Sequence, residues 1–182
     1  AREMGAKTKY SATEATEAFK YMGMAGWNTQ QMVDGIEGVM YLAGATGEDL
    51  ASTSDIVTNA ITAFGLQASD TNMFVDVLAQ TANSANTDVA MMGETFKYAG
   101  TMAGTFGYSI QDVALATGLM ANSGVQGSMA GTALNSMFTR LATDAGASSK
   151  QLGALGTLTQ KLGVEFYDSK GNARDLSDVL SE

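Results

Sequence analysis

The chain has 182 residues, 45% of them hydrophobic, enough for one folded domain with a continuous core. Cysteine, histidine and proline are all absent, which removes disulfides, thiolate nucleophiles, the commonest general base and zinc ligand, and the obligatory helix breaker. Ten basic side chains stand against 19 acidic ones, and the resulting net charge of −9 repels phosphate backbones and argues against specific nucleic-acid binding.

Ser11 and Glu14 have the spacing of a capping box, opening a helix with Ala12, Ala15, Phe19, Met22 and Gly26 on one face. Thr29 is expected to cap a second helix, striped by Met32, Val33, Ile36, Val39, Met40 and Ala43. Beyond Gly47, the residues Leu50, Val57, Ile61 and Phe64 mark a third, closed by Gly65 in a left-handed cap. Ser69 opens a fourth through Met73, Phe74, Val77 and Leu78. The polar run 83–88 is the clearest punctuation, and Thr87 is expected to cap a fifth helix carrying Val89, Met92, Phe96, Ala99, Ala103 and Phe106. Ser109 caps a sixth through Ile110, Val113, Thr117 and Met120, and a seventh follows Gly124 with Ala130, Leu134, Met137 and Leu141. Ser148 or Ser149 opens an eighth, with Leu152, Leu155, Leu158 and Leu162.

Residues 164–167 alternate with period two, and Asp168-Ser169-Lys170-Gly171-Asn172 is turn chemistry, so a small β-hairpin or extended loop is expected near 164–174. That turn has oxygen ligands but lacks the acidic density and terminal Glu of an EF-hand loop. The reading is all-α: one helical domain over 1–182, built of about eight amphipathic helices, with no metal and no cofactor site. Residues 1–5 read as the last turn of a helix begun upstream, and 175–180 as a helix running on, so the chain is expected to be a fragment of a longer protein.

One phrase returns along the chain. Glu17-Ala18-Phe19-Lys20-Tyr21 with Met24-Ala25-Gly26 is echoed by Glu94-Thr95-Phe96-Lys97-Tyr98 with Met102-Ala103-Gly104. Thr29, Gln31, Val33, Gly38, Val39 and Met40 then line up with Ser109, Gln111, Val113, Gly118, Leu119 and Met120. The expectation is a duplicated helix pair, with sub-repeats 11–47 and 87–124, of the kind used in assembly scaffolds; the competing explanation is chance likeness between Ala/Met-rich helices.

The candidate interaction or packing residues follow from the same stretches. Neighbours on a helix point about 100° apart, so of Phe19 and Tyr21, or Phe96 and Tyr98, one is expected in the core and the other at a rim. Trp27, the single tryptophan, sits at a helix junction and is expected to staple it. Gly100 with Gly104, and Gly127 with Gly131, place small residues four apart, as at close helix crossings. Twelve methionines supply adaptable contact surface. Residues 113–139 carry no charge, which raises a membrane-inserting alternative, though Asn122, Ser123, Gln126 and Asn135 interrupt the stretch. Glu94, between Met92 and Phe96, is a candidate general acid for glycan hydrolysis, but no paired carboxylate accompanies it. No other catalytic candidate stands out.

Several stretches resemble one family. REMGAKTKYSATEA (2–15), MGMAGWNT (22–29), DLASTSDIV (49–57), MGETFKY (92–98), LMANSG (119–124) and GTAL (131–134), with GV (163–164) and DSKGN (168–172) as a closing element, are similar to the core region of phage tail tape-measure proteins of phage or prophage origin. The resemblance covers nearly the whole chain in order. It implies a structural protein of the tail-tube lumen, made in the bacterial cytoplasm, whose length sets tail length and which leaves with the genome. It implies as partners further copies of itself, tail-tube and tail-tip proteins, and the host membrane after ejection. The punctuation by caps and glycines argues that this region is a compact module and not the extended ruler.

Overall fold

Short polar side chains set where the helices begin. The computed structural model describes residues 8–146, and within them seven α-helices: α1 Ala12–Met24, α2 Thr29–Thr46, α3 Leu50–Ala63, α4 Thr71–Ser84, α5 Val89–Phe106, α6 Ile110–Asn122 and α7 Gly127–Gly146. No strand occurs among the described residues. The eighth helix, the hairpin near 164–174 and both chain-end readings lie outside the described residues.

At α1 the Glu14 amide donates to Ser11 Oγ at 3.2 Å while the Ser11 amide donates to Glu14 Oε2 at 2.7 Å, the reciprocal capping box expected from the spacing. Ser109 and Asp112 form the same pair at α6. Two caps fall one residue from where they are expected, one earlier and one later. Asn28 caps α2, because Gln31 stands three residues on and completes a box that Thr29, with Met32 at that place, would lack. Asp88 caps α5 through the Met91 amide, a stronger acceptor at that post than Thr87. Ser69 lies in a short 3-10 turn, Ala68–Asp70, and α4 starts just after it.

The helix ends share a second device. After left-handed Gly26, Gly65 and Gly107, the amides of Trp27, Leu66 and Tyr108 donate back to Met22, Ala103 or Ile61 carbonyls of their own helix at 2.9–3.1 Å, Trp27 to Met22, Leu66 to Ile61, Tyr108 to Ala103. This is the Schellman closure, and it folds a large apolar residue against the helix it ends. Thus α1, α3 and α5 all stop in the same way.

The helices alternate between two rows. α1, α3, α5 and α7 pack side by side in the first, α2, α4 and α6 in the second. Neighbours within a row run parallel and in register. Ser54 Oγ donates to the Ala18 carbonyl, 36 residues away; Asn135 Nδ2 donates to the Tyr98 carbonyl, 37 away; Gln111 Nε2 contacts Met73 Sδ, 38 away. The Asn86 amide donates to Asn122 Oδ1, again 36 away. One helix pair per 36–38 residues is the geometry of a short α-solenoid. In the sequence echo Glu17 to Glu94 is 77 residues and Thr29 to Ser109 is 80, each longer than two such steps. The α3–α4 pair is the intervening step.

Apolar side chains from both rows fill the space between them, among them Ile36, Val39, Val57, Leu78, Met92 and Phe138, all 2% exposed or less. At its centre the rings of Phe64, Phe74 and Phe96 meet with centroids 5.5–6.5 Å apart, tilted or edge to face. Buried threonine hydroxyls bond backbone carbonyls, Thr58 to Ser54, Thr71 to Ala68 and Thr117 to Val113, whereas the buried Tyr10 hydroxyl has no hydrogen-bond partner.

Candidate interaction surfaces

Of the two aromatic pairs, one divides between core and rim as expected and the other does not. Phe96 is buried in the three-ring cluster, while Tyr98, two residues on, is 48% exposed. Phe19 and Tyr21 are both half-buried. Trp27 is buried, its ring against Gly35 of α2, where an added Cβ would lie 2.6 Å from Trp27 Cζ3.

The glycine pairs sit where helices of the first row cross. A Cβ on Gly104 would fall 3.0 Å from the Phe64 backbone, and one on Gly100 3.1 Å from Ala63 Cβ, so α5 lies directly on the end of α3. A Cβ on Gly131 would come 2.6 Å from the Thr95 carbonyl and 2.9 Å from Tyr98 Cβ, which fixes α7 against the other side of α5. Beside it Thr95 Oγ1 donates to the Gly127 carbonyl at 3.0 Å. Gly100, Gly104 and Gly131 therefore lie at helix crossings inside the module, whereas Gly127, with φ +55°, opens α7, and a Cβ there would meet only Glu94 Cβ at 3.9 Å.

Two grooves open on the outside. The first, of about 420 Å³, lies on the first row between α1, α3 and α5, with Tyr21, Ile56 and Met91 below and Asp55, Glu94 and Lys97 around it. Lys97 donates to Glu94, and this bond holds its ammonium above the ordinary lysine range. Glu94 is half exposed and ion-paired, outside the apolar enclosure that its reading as a general acid requires.

The second groove, of about 310 Å³, lies between α4 and α6. Val77, Thr81, Ala114 and Gly118 line it, Leu115 and Leu119 stand 42% and 51% exposed beside it, and no charged side chain contributes. The second row is also free of basic residues: its acids are Asp34, Glu37, Asp76 and Asp112, whereas Lys20, Lys97 and Arg140 lie on α1, α5 and α7. Reading α6 from the sequence selected its inner stripe, Ile110, Val113 and Thr117, and passed over the outer one, Gln111, Leu115, Leu119 and Asn122. The available signal is the run from Tyr98 to Thr139, which contains no Lys or Arg.

The uncharged stretch 113–139 is split between α6 and α7 by a turn at Ser123 and Gly124. Its amides bond across the row, Asn135 to the Tyr98 carbonyl and Gln126 to the Asn86 carbonyl. Among the described residues no helix is long and apolar enough to cross a membrane.

The model of the family described as phage-related minor tail protein matches residues 1–182. A tape measure protein of Pneumococcus phage Dp-1 is 34% identical over 180 residues, 99% of this chain and 15% of that protein. A probable tape measure protein of Escherichia phage P2 is 28% identical over 182 residues, the whole of this chain and 22% of that protein. The chain thus spans less than a quarter of the length of either relative. No solved structure matches it. On this whole-length agreement, and with an all-helical array, the chain belongs to the phage-related minor tail protein family, the tape-measure group of phage tail structural proteins.

Proposed function

We propose that this region is a folded, non-enzymatic block within a tape-measure protein, serving tail assembly, tail-length determination and genome delivery through helix packing. It acts in the lumen of the tail tube, against further copies of itself and against tube and tip proteins. The observation that carries the reading is the closed helix array, whose glycine crossings leave two outward grooves in place of one extended helix. Its longest helix, α7, has 20 residues and rises about 30 Å, whereas 182 residues of continuous helix would rise about 270 Å. The duplicated helix pair, sub-repeats 11–47 and 87–124, is part of this proposal: the two copies end and restart with the same closure and the same kind of cap.

In-frame deletion of the segment from its parent gene tests the reading, with tail length measured by electron microscopy. Tails of unchanged length that fail to deliver DNA, or absent tails, are expected. Functional tails shorter by about 270 Å would make the segment part of the ruler and overturn the block reading. A membrane-active role is the alternative in the same particle, and dye release from liposomes on adding the chain is the result that would favour it.

A further inference from the structure

We propose that the outer face of the second row, across α2, α4 and α6, docks a basic amphipathic helix of another protein. The inference rests on the assembly reading above and gives the partner a surface and a chemistry. Contacts along the row set which residues stand level. Gly38 of α2 lies against Asn72 and Val75 of α4, Met73 of α4 against Gln111 of α6, and Gly118 of α6 against Thr81. The same offsets bring Tyr41, Val77 and Leu115 onto one level, with Leu119 a turn beyond. Tyr41 is 60% exposed, both leucines are exposed, and Val77 is half-buried between them. Together they form an apolar band that crosses the three helices.

Carboxylates border this band. Asp34 and Glu37 stand two turns and one turn before Tyr41 on α2, Asp76 stands beside Val77 on α4, and all three are exposed. Asp34 accepts from the Gln30 amide and Glu37 from the Tyr41 hydroxyl. Among the described residues no cation pairs with any of the three. Lys9, which comes close to α2, packs by Gly44, on the opposite flank of that helix from Gly35, the residue that faces Thr71 of α4.

Charge then selects the occupant. A neutral helix laid on the band would draw water off these carboxylates without pairing them. Nucleic acid and anionic membrane surfaces are repelled by the same groups. A second copy lacks the complement: its described helices carry at most one base each, Lys20, Lys97 and Arg140, always on a helix that also carries an acid. What fits is a helix with an apolar stripe and Lys or Arg along its margin, a recurring mode of peptide recognition. Packed helices lie about 8–10 Å apart, so the band runs about 16–20 Å, and a helix of about 12 residues covers it. The groove between α4 and α6, with Thr81 and Gly118 in its lining, gives the apolar stripe of that helix a place to enter.

The probe is a synthetic peptide of about 14 residues with leucine at a 3–4 spacing and lysine between, alongside peptides in which glutamine or glutamate replaces every lysine. Fluorescence anisotropy against the 182-residue chain gives the dissociation constants. The lysine peptide should bind at least about tenfold more tightly than the glutamine peptide, and the glutamate peptide should not bind. Glu37→Gln with Asp76→Asn should weaken the lysine peptide about tenfold and leave the glutamine peptide unmoved. Leu115→Ser with Leu119→Ser should weaken both. Glu17→Gln with Asp55→Asn removes the same charge from the first row and should change neither. Circular dichroism establishes that each variant remains helical. A chain that binds no lysine peptide, or binds it no better than the glutamine peptide, would overturn the proposal. So would a loss in the first-row pair as large as in the second-row pair. Peptide binding is read on the chain alone, apart from the tail phenotype of the deletion, so the two readings fail separately.

Discussion

Asp49 accepts from the Ser52 amide at 2.8 Å and from its hydroxyl at 2.9 Å, closing the first turn of α3. These bonds hold its carboxyl below the ordinary aspartate range. The folded chain therefore binds that proton less readily than the unfolded one. The cap's contribution is complete above the unfolded-state value and is lost as the pH falls through the folded one. Asp49→Ala should lower stability by about 1 kcal/mol and the melting temperature at neutral pH by about 2–4 °C. Asp49→Asn should keep most of the cap and flatten the acid limb of stability below the ordinary aspartate range, as urea midpoints measured on acidification will show.

Two glycines predict opposite signs at the same scale. In Gly131→Ala the new Cβ would sit 2.6 Å from a backbone carbonyl that cannot swing aside, and about 1–3 kcal/mol should be lost. In Gly44→Ala on α2 the nearest atoms, Lys9 Cε and Tyr10 Oη, are at 3.7 and 4.0 Å, so helix propensity should prevail and add up to about 1 kcal/mol. Denaturant midpoints of the two variants, moving in opposite directions, check this. The sequence reveals that Gly127 and Gly131 are spaced for a crossing. It does not reveal which helix crosses there, because that depends on a neighbour 36 residues away.

At the level of elements, what was legible is what lies within four residues. Ser11 and Ser109 were found because their box partners, Glu14 and Asp112, are in the same turn. Thr29 and Thr87 were misplaced by one because Asn28 and Asp88 compete for the same post, and the better acceptor takes it. The inner stripe of α6 follows from periodicity, but its outer stripe is equally periodic, and only the packed rows decide which leucines remain outside. Phe96 links α5 to α3 and α4 through its two ring contacts. Phe96→Ala should cost about 3–5 kcal/mol and unfold the array as one transition, followed by circular dichroism on heating.

For the whole molecule, the echo in the sequence joins α1 to α5 and α2 to α6, helices two pairs apart in the array. The α3–α4 pair has the same closure at Gly65 yet little of the wording, because a solenoid step needs only its crossings, its cap and its apolar stripe. Charge follows the rows as well: bases on the first, acids on both, none of which is visible until alternate helices are sorted to opposite sides.

The parallel stacking of neighbours 36–38 residues apart has a mechanical consequence. Among the described residues no strand is threaded between distant parts of the chain, and each helix pair packs mainly on the pairs beside it. Within the described residues, a pull applied at one end of the array should unspool the outermost helix pair first and leave the rest standing, like cable paid off a drum.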